Sequence, residues 1–240
     1  MNRVLYNKNE CANDQLLLTD YRATHILKVL KSRPGDVLRT GELDGPLSKG
    51  EVIKVGEQKV LLKITDQEVP LRPSLDLMLA MPRPKVLKRL LSQISAIGVD
   101  HLYLCNASRV EKYYFDTHVL EADFLKKALV EGLMQSGDTC LPRVEVLRHL
   151  PSFLEKPIFP ENRWLLDPYA GGSFLEVPVL PGRRVLAIGP EGGWREDEQD
   201  LFVAKGFKAV KLFDRILRSD TACISALSMA VAKGGGDGSS

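Results

Sequence analysis

The 240-residue chain has few of the features that mark a metalloprotein, a secreted protein or a membrane protein. Its four cysteines, Cys11, Cys105, Cys140 and Cys223, are far apart and form no CxxC pair. That spacing argues against both a clustered zinc site and a disulfide framework, leaving four buried, reduced thiols as the expectation. With only four histidines, no HExxH and no Ser–His–Asp order, neither a metal nor a hydrolytic triad is expected. No apolar run approaches a membrane span, and the start, Met1-Asn-Arg-Val-Leu-Tyr-Asn-Lys8, carries no apolar targeting segment. The expected protein is therefore cytoplasmic with no membrane partner, the alternative being an organellar form already trimmed of a transit peptide. Excess charge is also lacking: 33 basic against 31 acidic side chains leave a net +2. Before residue 70 there are 11 basic and 10 acidic side chains, and after it 22 and 21, so any site for a polyanion must be a local patch.

What is present is a globular composition, 44% hydrophobic, arranged in two patterns. Up to about residue 70 the chain reads as mostly β. Short β-branched runs (Asp36–Thr40, Glu51–Val55, Lys59–Thr65) are separated by Pro34-Gly35-Asp36, Asp44-Gly45-Pro46 and Gly56. One helix interrupts them, with Thr19 as the expected cap and Ile26, Leu27 and Leu30 on one face. Val69-Pro70-Leu71-Arg72-Pro73 reads as a linker. Beyond it, apolar runs of strand length (Leu75–Met81, His101–Asn106, Trp164–Asp167, Arg184–Gly189, Ala209–Phe213) alternate with helices at about 84–97, 118–136, 195–205 and 219–232. That alternation predicts an open α/β sheet, parallel and covered on both faces. Residues 142–163, with four prolines, read as an irregular connection. The last residues, Gly-Gly-Asp-Gly-Ser-Ser among them, read as a flexible tail from 234 to 240.

Three constellations could carry chemistry. Gly189-Pro190-Glu191-Gly192-Gly193 follows the apolar strand Arg184–Ile188, where glycines let a ligand approach the backbone. It lacks GxGxxG and GK[ST] spacing, and Glu196-Asp197-Glu198 would repel a phosphate at the next helix. A plain strand-to-helix turn is the alternative. Arg215 and Arg218 lie three apart in the loop Leu212–Ala222 and could stabilise negative charge, unless they simply pair with Asp214 and Asp220. Arg83, Lys85, Lys88 and Arg89 open a helix whose other face is apolar, forming the one clear basic patch on a neutral chain. Ordinary solvation of a helix face is the alternative there, and a packed or capping role is the alternative for His25.

Taken together these residues resemble the ribosomal RNA small subunit methyltransferase E family, within the SPOUT class of S-adenosylmethionine enzymes. The likeness rests on Ala187-Ile-Gly-Pro-Glu-Gly-Gly193 followed by Arg215-Ile-Leu-Arg218-x-Asp220-Thr-Ala222, on His25–Leu30 with Pro34-Gly-Asp36, and on Lys85 to Val99. The resemblance implies a PUA-like β-barrel RNA-binding domain over 1–72 and a SPOUT methyltransferase domain over 73–233, an open parallel sheet with a C-terminal trefoil knot. It further implies a homodimer acting on small-subunit rRNA or the assembled ribosomal subunit. By the same likeness, S-adenosylmethionine is held by Leu166, Asp167, Gly189, Pro190, Glu191, Gly192, Gly193, Leu212, Ile216, Leu217 and Thr221. Arg218, with Arg215 as a lesser candidate, would serve catalysis. RNA would be held by Arg3, His25, Lys28 and Lys31 and by Arg83, Lys85, Lys88 and Arg89. The implied reaction is methylation of N3 of a uridine in 16S rRNA.

The chain departs from the family pattern at several positions. Met134-Gln135-Ser136-Gly137-Asp138 stands where the family usually has Glu-Gln-small-Gly-Arg, near the active site that the resemblance implies. Lys31 replaces a frequent arginine, Phe213 a frequent glycine and Asp220 a frequent glutamate, and Arg195 stands where a helix-capping residue is common. The alternatives are a methyltransferase of the same fold acting on ribose 2′-oxygen or tRNA, and a catalytically silent RNA-binding protein.

Overall fold

The computed structural model describes residues 1–234, which divide into two compact units. The first comprises Met1–Arg72 together with Val130–Leu141, and the second Pro73–Leu129 with the described residues from Pro142 on.

In the first unit, strands β1 (Val4–Tyr6), β2 (Cys11–Ala12), β3 (Gln15–Leu18), β4 (Val37–Glu42), β5 (Leu47–Val55) and β6 (Val60–Glu68) form one sheet in the order β1-β4-β5-β6-β3-β2. Only the β1–β4 pair is parallel. Alternation of side chains drives this arrangement. Leu16 and Leu18 of β3, Val52 of β5, and Val60, Leu62 and Ile64 of β6 point inward and pack with Val4, Tyr6, Ala23 and Ile26. Strands β1 to β3 escape the sequence reading because each spans only two to four residues.

Helix α1 (Tyr21–His25) is capped by Asp20 rather than Thr19: the Asp20 carboxylate accepts from the Arg22 backbone N–H at 2.9 Å. The following turn, Ile26–Leu30, winds as a π-helix. With more residues in each turn than an α-helix, it leaves Ile26 buried but Leu30 exposed, so the expected apolar face is only partly formed. Lys31 ends the turn in the left-handed region at φ 54°. Of the four cysteines, all are free and three are buried, with Cys11 only half-buried.

Arg22 is nearly buried, which requires partners for its charge. It donates to the Leu5 carbonyl at 2.8 Å and pairs with Asp20 and Glu10. Burial alone would raise the Glu10 carboxyl pKa. Hydrogen bonds from Arg22 and Asn7 outweigh it and pull the value down to about 2. A carboxyl depressed in the fold stabilises it fully above the ordinary value, and the contribution disappears as pH falls through about 2. Glu10→Gln is therefore expected to cost about 1–2 kcal/mol at pH 7, the half-exposed edge of the pair being screened by solvent. Urea denaturation of both proteins from pH 7 to pH 2 checks this, since the difference should shrink towards the acid end.

The second unit is an all-parallel sheet of β7 (Leu75–Ala80), β8 (His101–Cys105), β9 (Arg143–Leu147), β10 (Asn162–Leu166), β11 (Arg184–Ile188) and β12 (Lys208–Val210). Its order is β12-β10-β11-β7-β8-β9. Every residue of β7 and β11 is buried, Asp76 and Arg184 included, as their near-continuous apolar runs predict for central strands. Helices α2 (Pro84–Ile97), α3 (Ala122–Ser136), α4 (Leu150–Leu154), α5 (Glu196–Ala204) and α6 (Ser219–Gly234) complete the architecture. Pro84 sits in the first turn of α2, Gly98 closes it at φ 97°, and Val86, Leu87, Leu90, Leu91 and Ile94 are buried. Helix α6 lies against α2 and β11.

Three sequence expectations change here. The stretch 142–163 is not irregular throughout, because it contains β9 and α4. Strand β9 lies at the sheet edge with Arg143 and Glu145 exposed, so it lacks the apolar run of its neighbours, and Pro151 opens α4 instead of breaking it. The chain from Val130 to Leu141, expected wholly within the second domain, packs with the first unit. There Leu133 and Met134 bury against Leu5, and the Met134 carbonyl accepts from the backbone N–H groups of Asn2 and Arg3. Gly234 is the last residue of α6, and the rest of the expected tail lies outside the described residues.

Candidate active site

The carboxyl ends of β10, β11 and β12 open onto one cleft within the second unit. Its walls come from three loops: Leu166, Asp167 and Pro168 after β10; Gly189, Pro190, Glu191 and Gly193 after β11; and Leu212, Phe213, Arg215, Ile216 and Leu217 after β12. Ser219 and Ala222 close it from the first turns of α6. Parallel sheets take ligands at this edge because the strand ends diverge and leave backbone groups unpaired between them.

The glycine loop is shaped from behind by Trp194. A Cβ on Gly189 would stand 3.1 Å from Trp194 Cδ1 and Nε1 and 3.2 Å from its backbone nitrogen. Trp194 is buried and packed on Phe202, with ring centres 4.9 Å apart, so it has little room to yield. Gly193 adopts φ 74°, which a side chain would strain. The buried Glu198 carboxylate then ties the loop end to the β8 loop, accepting from the backbone N–H of Ser108 at 2.7 Å and of Arg195 at 2.9 Å. Arg195 caps α5 with backbone alone, and the bond from its N–H to Glu198 replaces the missing side-chain cap.

The cleft is apolar on most of its wall, with Asp167, Glu191 and Arg215 as its charged groups. The Asp167 carboxylate accepts from the Tyr169 N–H at 3.0 Å. Glu191 lies 3.3 Å from Arg83 at the start of α2. Arg215 has no carboxylate partner among the described residues, because Asp214 turns to Lys211 at 2.7 Å. That bond holds the Asp214 carboxyl below its usual range and raises the Lys211 ammonium. Arg218 sits beside the cleft, largely exposed, with its Nε 3.8 Å from Asp220. The other oxygen of Asp220 is engaged by Arg89 at 3.2 Å. The expected Arg/Asp pairing therefore forms only loosely at Arg218 and not at Arg215. The buried Cys223 thiol is pushed up to about 12, which removes it as a nucleophile near neutral pH.

Most residues expected at a cofactor site line this cleft. Gly192 lies behind it, where its carbonyl accepts from Arg109, and Thr221 faces a separate cavity between α2 and α6 with Arg89 and Asp220. Of the basic patch, Arg83 and Arg89 are paired with acids, Lys88 stands 5.6 Å over the Phe124 ring, and Lys85 is exposed. In the first unit, Lys28 and Lys31 are exposed and His25 is half-buried. Arg3 donates to the carbonyls of Gly137 at 2.7 Å and Thr40 at 2.6 Å, and its burial, with Arg39 nearby, lowers its pKa. Its donors are thus engaged in fastening the chain around Gly137. Asp138 does local work, accepting from the backbone N–H of Thr139 and Cys140. Arg109 was not anticipated, although its place just past the predicted strand at 101–106 was a usable signal.

A parallel sheet whose carboxyl-end loops enclose an apolar cleft with a glycine-shaped floor places the second unit among α/β enzyme domains that bind a ligand at that edge. Known proteins narrow the class: the RNA methyltransferase domain model matches residues 68–231. The chain is 30% identical to a Treponema pallidum protein named ribosomal RNA small subunit methyltransferase E, over 97% of this chain and 91% of that one. It is 28% identical to the corresponding Borreliella burgdorferi protein 1, over 97% and 98%. A crystal structure of ribosomal RNA small subunit methyltransferase E from Neisseria gonorrhoeae, bound to S-adenosyl methionine, shares the fold with a TM-score of 0.78 at 20% identity, covering 97% of each chain. The chain belongs to the ribosomal RNA small subunit methyltransferase E family, and it is an RNA methyltransferase.

Proposed function

We propose that this chain transfers the methyl group of S-adenosylmethionine to N3 of a specific uridine in small-subunit rRNA. The observation that carries the proposal is the single cleft formed by the loops after β10, β11 and β12, in a chain of this family. The residues present suit the methyl donor. Apolar side chains (Leu166, Ile188, Leu212, Ile216 and Leu217) offer walls for a base, and the Gly189–Gly193 backbone offers close approach. Asp167 and Glu191 suit hydroxyl and ammonium groups. When bound, S-adenosylmethionine supplies an electrophilic sulfonium methyl.

The chain's own residues must then align the acceptor nitrogen and favour its deprotonated form, since uridine N3 carries a proton near neutral pH. Arg218, assisted by Arg215, would stabilise the negative charge that spreads onto the flanking carbonyl oxygens. The reading extends to a PUA-like first domain, supported by the mainly antiparallel six-stranded sheet of the first unit. It extends also to a C-terminal trefoil knot. Support for the knot is that β11 enters the sheet between β10 and β7, after which the chain returns through the cleft loop and α6 packs on β11. A second copy of the chain, small-subunit rRNA or the assembled subunit, and a cytoplasmic or processed organellar location belong to the same reading.

Mass mapping of methylated nucleosides in rRNA from a deletion strain tests it. The expected result is the loss of one 3-methyluridine from small-subunit rRNA, restored by the intact gene. An unchanged uridine profile, or loss of a ribose methyl instead, would overturn it.

A further inference from the structure

The positive charge expected along α2 is largely engaged, by Glu191, Asp220 and the Phe124 ring. Cations without a carboxylate partner among the described residues stand elsewhere on the same sheet edge. A second cavity of about 300 Å³ opens at the carboxyl ends of β8 and β9. Lys112, Arg148 and His149 line it, and among the described residues none of the three has a carboxylate partner. Two acids also line the cavity, but both are occupied. Asp197 pairs with Arg195 at 3.0 Å, and Glu198 is buried with two backbone N–H groups upon it.

Two of the three basic groups are held in place. The Arg148 guanidinium lies 5.3 Å over the centre of the buried Phe115 ring, a contact that restrains its rotamers. His149 Nδ1 accepts from the Ser152 N–H, which leaves the ring proton on Nε2 as a donor. Ala107, Leu150 and Leu201 form an apolar floor beneath these groups, which themselves stand exposed at its rim, open to an incoming strand. Strand β8 lies two places from β11 in the sheet, about 10 Å at ordinary strand spacing, so the cavity falls close to the methyl-transfer cleft along one continuous edge.

We propose that this cavity binds phosphodiester groups of the RNA strand next to the target base, with Lys112 and Arg148 as charge partners and His149 Nε2–H as a hydrogen-bond donor. The inference rests on the reading of the chain as an rRNA methyltransferase and adds a substrate subsite to it. A neutral protein can hold a polyanion here because Lys112 and Arg148 are gathered at one cavity with no ion-pair partner among the described residues, while Asp197 is paired with Arg195.

The test is binding of a small-subunit rRNA fragment by the full chain, followed by fluorescence anisotropy at several salt concentrations. In the Lys112→Ala/Arg148→Ala double variant the Kd for RNA should rise about tenfold at moderate salt, and the log–log salt slope should fall by about 1.4–1.8, the value for two lost phosphate contacts. Affinity for S-adenosylmethionine should stay unchanged. Arg148→Lys should keep the wild-type slope. Lys127→Ala, which removes an exposed charge from α3 away from the cavity, should change neither quantity. An unchanged RNA affinity and slope in the double variant would overturn the subsite, and so would a parallel loss of S-adenosylmethionine binding. If the wild-type chain binds rRNA but forms no 3-methyluridine, the proposed reaction fails while the subsite stands. If it does not bind rRNA, both fall.

Discussion

Replacing Arg218 by alanine is expected to slow methyl transfer by about 10²–10³-fold, the usual loss for one donor aimed at developing charge. Affinity for S-adenosylmethionine should change by no more than about twofold, because the Arg218 side chain is largely exposed and does not line the cleft. Among the described residues its one ion-pair partner is Asp220, at 3.8 Å and already engaged by Arg89, so its removal leaves no buried acid uncompensated. Stability should therefore hold. Arg215→Ala should behave differently, since Arg215 does line the cleft and has no carboxylate partner among the described residues. There the affinity for the methyl donor should fall along with turnover. Single-turnover methylation at saturating RNA, beside calorimetric titration of S-adenosylmethionine, separates the two variants. Full activity in Arg218→Ala would remove this residue from the mechanism.

Gly189→Val should weaken S-adenosylmethionine binding by about 10–100-fold, the equivalent of the 1–3 kcal/mol that overpacking typically costs. The first added carbon would already lie 3.1 Å from the Trp194 ring, and the two methyl groups beyond it must enter the space between ring and cleft. Trp194 cannot retreat easily, being packed on Phe202, itself fully buried. The loop must move instead, carrying with it the Pro190 and Glu191 that form the cleft wall. Gly189→Ala should show a smaller loss, and a smaller residue at position 194 in that background should restore part of it. Equilibrium dialysis with labelled S-adenosylmethionine measures each step. Wild-type affinity in Gly189→Val would show that the loop tolerates displacement and that its close approach to Trp194 does not shape the site.

The cleft was legible because its parts are short segments whose chemistry is local. A glycine run directly after an apolar strand announces a loop at the strand's carboxyl end, whatever the rest of the fold does. The Arg215–Ala222 segment is legible for the same reason, as a loop running into a helix. Strand β9 was not, because an edge strand exposes one face and most of its length to solvent and so carries no apolar run. Met134 and Asp138 show a different kind of limit. Their departure from the family pattern can be seen in sequence, but their place, one buried against Leu5 and the other tying its own turn, follows from packing with the first unit.

Charge shows the division most clearly. Composition alone establishes that this chain is nearly neutral, and its patterning establishes an α/β domain with ligand loops, because periodic burial and turn chemistry act between residues close in the chain. Which cations remain available is decided only by tertiary structure. Arg83 and Arg89 look free in sequence and are paired in space with Glu191 and Asp220, while Lys112 and Arg148, with no pattern to mark them, line one cavity with no carboxylate partner among the described residues. The reason is physical: an ion pair depends on a few ångströms of separation, and residues distant along the chain reach that separation only when the sheet sets its strand order.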